Sequence, residues 1–177
     1  HNFMQTVTLV VDDGNGNTNM CSFDVTLEDA TAPSITCPAN ETLLVNAACE
    51  LAIADYTNAA TIGDNCSMPA EISVTQMPLA TTVISGHNFT QTITLTADDG
   101  NGNTNTCTFD ITLNDAINPT IACPADITLD LDAACNASIP DLTASAMTAD
   151  NCATTITVTQ SPLANEILNG GNVAHRH

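Results

Sequence analysis

The sixteen residues that begin at Asp12, DDGNGNTNMCSFDVTL, return almost unchanged at Asp98 as DDGNGNTNTCTFDITL. The displacement is 98 − 12 = 86 residues, and the same step carries Cys21 to Cys107, Cys37 to Cys123, Cys49 to Cys135 and Cys66 to Cys152. A fixed period of this size marks a tandem array of small domains. In a chain of 177 residues the phase of the repeat is offset. It predicts the last two strands of one unit over 1–29, a complete unit over 30–115, and a further unit over 116–177 that lacks its last two strands.

The pattern inside one period is β. In FTQTITLTADD, Ile93, Leu95 and Ala97 alternate with Thr, and in TCTFDITL, Cys107, Phe109, Ile111 and Leu113 alternate with Thr and Asp. That is the two-residue period of a half-buried strand. Between them DDGNGNTN supplies Gly and Asn for the positive-φ positions of a hairpin turn. Shorter strands are expected in SITC, ETLLV, CELAIADY, AEISVTQ and TTVIS, each bounded by Pro, Gly or Asn, and no stretch has the pattern of a helix. Seven or so short strands per period predict an all-β chain of immunoglobulin- or fibronectin-like antiparallel sandwiches. With four Phe in all and no Trp the cores are thin, so disulfides are expected to reinforce them.

Charge and cysteine content set the surroundings. The chain has 20 acidic residues against one basic residue, Arg176. Nucleic acid and anionic membrane surfaces are therefore poor candidates as partners, and cations are better ones. Eight cysteines at repeated spacings in a Thr- and Asn-rich chain point to an oxidising, extracellular or cell-surface location. No apolar run approaches the roughly 20 residues that cross a bilayer, so membrane insertion is not expected. The first residue is His1 and no charged-then-apolar leader follows, so an export signal is expected to have been removed or not included.

The stretches DATAPSITCP (29–38), DNC (64–66) and ADDGNGNTNTCTFDITLND (97–115) together resemble the hyalin repeat, or HYR. The resemblance covers one complete copy, with the end of a preceding copy and the start of a following one; the second linker, NDAINPTIACP, repeats the first. It implies an extracellular immunoglobulin-like module, used in arrays by adhesion and surface proteins, without catalysis. In such sandwiches the first and last strands can run side by side, which favours a Cys37–Cys107 disulfide. Cys49–Cys66 and Cys135–Cys152 would then be local pairs, although four cysteines per module allow three connectivities. Cys21 and Cys123 are left without partners in their own chain and are expected to meet between chains. The spacings do not match zinc sites.

The phase suggests a partner: the chain itself. Gly86 aligns with Gly170, so the third unit should continue with a segment like HNFTQTITL, whereas the chain runs GNVAHRH. What that unit lacks is what residues 1–29 supply, and a neighbouring copy's hairpin could complete it by strand addition. Burying Val7, Leu9, Val11, Phe23, Val25 and Leu27 there would contribute on the order of 10 kcal/mol, comparable with a whole domain's net stability of roughly 5–15 kcal/mol. The expected function is a structural subunit of an extracellular filament or stalk, joined head to tail. The alternative is an adhesion module within a longer array, binding cell-surface or matrix glycans or proteins. Intramolecular closure of the third unit by residues 1–29 is disfavoured, because the intervening domain would hold the two apart.

Asp and Asn in the turns raise calcium as a cofactor. An EF-hand is rejected, since the twelfth position from Asp12 is Phe23. A looser oxygen site remains, in which Asp98, Asp99 and Asn101 approach Asp29 and Asp64, with Asp12, Asp13, Asn15, Asp115 and Asp150 as the equivalents in the other units. The competing reading is that Asp and Asn are there to make turns. Asn-x-Ser/Thr sequons stand at Asn40, Asn65, Asn88 and Asn136, but none recurs at an equivalent place in another copy, so they carry little beyond candidate glycosylation sites. His1 and His87 are equivalent while the third copy has Gly171, which suits a turn residue better than a ligand. The tail His175-Arg176-His177 is not predicted by the repeat and is expected to be a disordered or processed end. No nucleophile elbow, phosphate loop or zinc-protease motif occurs, so no catalysis and no organic cofactor are expected. With one Tyr and no Trp, an aromatic sugar-stacking platform is disfavoured.

Overall fold

Thr-rich alternation on both sides of a Gly-Asn turn makes a hairpin with one apolar face, and in the computed structural model it does so twice. The described residues are 3–170; His1, Gly171 and the His175-Arg176-His177 tail lie outside them. Strands β1 (Phe3–Asp12) and β2 (Thr18–Leu27) pair antiparallel from Phe3↔Leu27 to Asp12↔Thr18. Strands β9 (Thr90–Asp98) and β10 (Thr104–Asn114) pair in the corresponding register, with Phe109 opposite Ile93 as Phe23 is opposite Val7. Both turns hold two glycines at positive φ, Gly14 and Gly16 at 74° and 95°, Gly100 and Gly102 at 76° and 103°. A side chain at these four places would strain the backbone.

The second hairpin is the centre of a sandwich. It lies inside a four-stranded sheet of order β4-β10-β9-β7, where β4 (Glu41–Leu44) runs parallel to β10 and β7 (Ser73–Met77) antiparallel to β9. The other layer consists of two short pairs: β3 (Ser34–Thr36) with β6 (Thr61–Gly63), and β5 (Glu50–Ala52) with β8 (Val83–Ser85). Ile93, Leu95, Phe109, Ile111 and Leu113 pack with Val45, Cys49, Ile53 and Ile84 in the core, against which Ile35 and Leu51 also rest. Tyr56 stands edge-on to Phe109 with ring centroids 4.9 Å apart. Its hydroxyl donates to Glu41 Oε1, and burial followed by that carboxylate pushes its pKa up to about 12. Buried Gln76 is fully employed, accepting from the Tyr56 N–H at 2.7 Å and donating to the carbonyls of Ala54 and Pro78 at 3.0 and 3.1 Å. The strand missed by the sequence pattern is β6, three residues before the Asp-Asn-Cys turn and too short to show a period.

After this sandwich the second layer recurs without the first. Strand β11 (Thr120–Ala122) pairs with β13 (Met147–Ala149), and β12 (Asn136–Ser138) with β14 (Ile167–Asn169), with a short 3₁₀ turn at Thr143–Ser145. Segments 127–130 and 157–161, which stand where β4 and β7 stand in the complete sandwich, are not strands. The reason is direct: β4 and β7 draw their ladder bonds from β10 and β9, and no such hairpin lies between 127–130 and 157–161.

Candidate metal centre

One end of the sandwich gathers three aspartates. Asp99 follows β9 in the DDGNGN turn, Asp29 lies in the linker after β2, and Asp64 opens the turn after β6. One carboxylate oxygen from each lies within 4.8 Å of the others. Asp29 and Asp99 are buried, at 9% and 3% exposure. Their setting is built by amides. The Asp99 carboxylate accepts from the N–H groups of Asn101 and Asn103 at 2.8 and 3.0 Å and from Asn103 Nδ2 at 2.7 Å. Burial works to raise the Asp99 pKa, but these donors outweigh it and hold the carboxyl below the ordinary aspartate range. Asp64 Oδ2 accepts from the N–H groups of Ser67 and Cys66 at 2.9 and 2.8 Å. Those two bonds lower its pKa against the opposing effects of burial and the Asp99 charge. Two carboxylates are thus kept ionised at close quarters.

Asp64 Oδ1 is buried and meets no hydrogen-bond donor. A buried polar atom of this kind calls for a partner, and oxygens at such separations, on two buried aspartates and one half-buried, could hold a metal ion. Asn101 Nδ2 lies 3.5 Å from Asp29 Oδ2 and 3.2 Å from Ser67 Oγ, while Asn103 Nδ2 donates to the Asp29 carbonyl at 3.0 Å. Ser67, 4% exposed, donates to the Asp99 carbonyl at 3.3 Å. Asn103 and Ser67 escaped the sequence reading; the one available signal was that Asn103 recurs as Asn17, which donates to Asp13 in the same way at 2.7 Å.

The remaining acidic candidates stand apart from this cluster. Asp98 lies next to Asp99 but its carboxylate closes the turn on the Gly100 N–H at 2.8 Å. Asp12 does the same with Gly14 at 2.8 Å, and Asp13 accepts from the Asn15 and Asn17 N–H groups at 2.8 and 3.2 Å, all exposed. Hydrogen bonds from the Asn17 side chain and from those two N–H groups lower the Asp13 pKa. Asp115 accepts from Asn151 Nδ2 at 3.1 Å, and Asp150 accepts from the N–H groups of Cys152 and Ala153 at 2.9 and 2.6 Å. Of the sequons, Asn40 Oδ1 accepts from the Asp110 N–H at 2.9 Å, Asn65 Nδ2 contacts Cys66 Sγ at 3.0 Å, Asn88 has φ 59°, and Asn136 is in β12.

The disulfides require a correction. Cys37 is bonded to Cys107, 70 residues away. Cys49, however, is bonded to Cys152, 103 residues away. The expected local pairs Cys49–Cys66 and Cys135–Cys152 are therefore both absent, and Cys66 and Cys135, with Cys21 and Cys123, are exposed thiols. The physical reason is orientation. Cys49 is buried at 8% exposure in a left-handed backbone position, φ 60°, and Cys152 packs against the same core cluster although it lies beyond the sandwich in sequence. Beside the bond, Asn151 Nδ2 donates to the Asn46 carbonyl at 3.2 Å, and the Asp115 N–H donates to His87 Nδ1 at 3.0 Å.

A two-layer β-sandwich with a disulfide onto its last strand has the architecture of the immunoglobulin-like class. Within that class, residues 28–113 match the HYR domain, and this segment of the chain is a HYR domain. HYR domains are non-catalytic extracellular modules, no catalytic family is found, and with the disulfides the match indicates an extracellular protein. No curated protein and no solved structure matches the chain.

Proposed function

We propose that the protein is a structural subunit of an extracellular filament or stalk, in which the β1–β2 hairpin of each copy completes the segment 116–170 of the copy before it. One contrast carries this reading. Ile93, Leu95, Ala97, Phe109, Ile111 and Leu113 of the β9–β10 hairpin are 0–4% exposed. At the same places in β1–β2, Leu9, Val11, Phe23, Val25 and Leu27 are 40–66% exposed and Val7 is half-buried. A hairpin with this apolar face is stable when covered. Segments 127–130 and 157–161, with Ile127 49% exposed, are the edges such a hairpin would join, and strand addition supplies the missing ladder bonds. Electron microscopy of the purified chain tests the reading: uniform beaded fibres are expected, and discrete single particles at high concentration would end it.

Calcium fits the same plan. Ligand oxygens at about 2.4 Å from a calcium ion stand at most about 4.8 Å apart, a spread that Asp29, Asp64 and Asp99 satisfy. Adding 86 to the first two gives Asp115 and Asp150, and subtracting it from Asp99 gives Asp13. The completed unit would therefore assemble a second triad from one copy's Asp115 and Asp150 and the donated hairpin's Asp13. Saturating calcium is expected to raise the melting temperature of the chain by roughly 5 °C or more. Asp64→Asn keeps an acceptor for the Cys66 and Ser67 N–H groups but removes a charge, and should abolish that rise. An identical melting curve with calcium and with EDTA would remove the metal from the proposal.

A further inference from the structure

The Cys49–Cys152 bond ties the HYR domain to the segment that follows it. We infer that this bond is one instance of a recurring joint, and that Cys135 of one copy forms its counterpart with Cys66 of the next, so that each junction between copies is closed by two disulfides. The inference rests on the head-to-tail reading above and deepens it. The arithmetic is that of the repeat: 49 + 86 = 135 and 152 − 86 = 66, just as 37 + 86 = 123 and 107 − 86 = 21. The four exposed thiols are Cys21, Cys66, Cys123 and Cys135. One translation of the two bonds already formed therefore pairs all four.

Local geometry supports the translation independently of the numbering. Cys135 has φ 62° against 60° for Cys49, and each N–H closes a turn at 2.9 Å, onto Asp132 and Asn46 respectively. The carbonyls of both accept from a glycine N–H, Gly170 at 2.7 Å and Gly86 at 3.1 Å. On the other side, Cys66 and Cys152 each donate an N–H to the aspartate two residues earlier, Asp64 at 2.8 Å and Asp150 at 2.9 Å. In each an asparagine side chain lies against the sulfur, Asn65 at 3.0 Å and Asn151 at 3.4 Å. Both halves of the bond are thus presented on the backbone that presents Cys49 and Cys152.

The chemistry is thiol–disulfide exchange with a low-molecular-weight disulfide, RS–SR, as oxidant. The Cys135 thiolate attacks one sulfur and releases one RS⁻, forming a mixed disulfide. The Cys66 thiolate of the next copy then displaces the second RS⁻. Two protein thiols become one disulfide, the electron pair reduces RS–SR to two RSH, and the two protons leave with them. Because the two joined cysteines belong to different sandwiches, the bond sets the hinge between successive domains, whereas Cys21–Cys123 only retains the donated hairpin.

The experiment uses the full chain, assembled as an equal mixture of ¹⁴N- and ¹⁵N-labelled protein in a reduced/oxidised glutathione buffer. A non-reducing peptide map after pepsin, which does not need the lysines this chain lacks, should contain a Cys66–Cys135 peptide of mixed isotope composition. Cys21→Ser, which leaves only this joint, should still give a ladder on a non-reducing denaturing gel, and Cys21→Ser/Cys66→Ser should run as monomer. If fibres form but Cys66 and Cys135 stay reduced, or join within one chain, the inference is overturned while strand donation stands. If no fibre forms under any condition, both fall.

Discussion

Ile111→Asp is expected to abolish folding of the HYR domain, while Val25→Asp, the same change at the same place in the other hairpin, is expected to leave the chain folded and stop it assembling. Ile111 has no exposed surface. The substitution removes about 2–3 kcal/mol of apolar burial and puts a carboxyl group in a core with no partner, a further cost of several kcal/mol. Together these approach the roughly 5–15 kcal/mol that holds a domain of this kind together. Val25 is 40% exposed, and a polar residue at such a surface position changes stability by about 0.5 kcal/mol or less. Once its hairpin is donated, residue 25 would enter the setting of Ile111, and the whole penalty would fall on the junction. The two outcomes are separable with one chain: Tyr56 is the single Tyr, there is no Trp, and it packs edge-on against Phe109. Its fluorescence therefore reports the domain, while sedimentation reports assembly. Val25→Asp protein that forms fibres like the parent would refute hairpin donation.

The second large effect is the loss of the Cys37–Cys107 bond. Cross-linking residues 70 apart in sequence removes unfolded-chain entropy worth about 4 kcal/mol. The Cys37→Ala/Cys107→Ala chain should thus lose about that much in urea unfolding followed by Tyr56 fluorescence, with the midpoint falling and the slope rising as the unfolded chain, freed of its cross-link, exposes more surface. The core around it is built from Ile, Leu, Val and one Phe, so little else replaces the staple. A double variant as stable as the parent would mean that the bond merely decorates a core sufficient by itself.

Much of this fold is legible in the residues. The alternation of Ile93, Leu95 and Ala97, and of Phe109, Ile111 and Leu113, names the buried face of β9 and β10. The Gly-Asn turn between them forms at the expected place, because a two-residue period and a positive-φ turn are local properties that survive in one dimension. The site was legible only in part. Asp98 and Asp99 are indistinguishable in composition and both carboxylates accept turn N–H groups, yet the burial that alternates along β9 through Leu95 and Ala97 continues to Asp99 just past its end, so Asp99 and not Asp98 joins Asp29 and Asp64.

The sequence by itself therefore determined the β architecture, the position of the hairpins, the family resemblance and the oxidising surroundings, each of which follows from short-range periodicity, turn chemistry or composition. Only the tertiary structure decided that Cys49 bonds Cys152 rather than Cys66, and that equivalent hairpins are buried in one case and bare in the other. Partner choice between distant residues depends on which surfaces packing brings face to face, and spacing along a chain does not encode that distance.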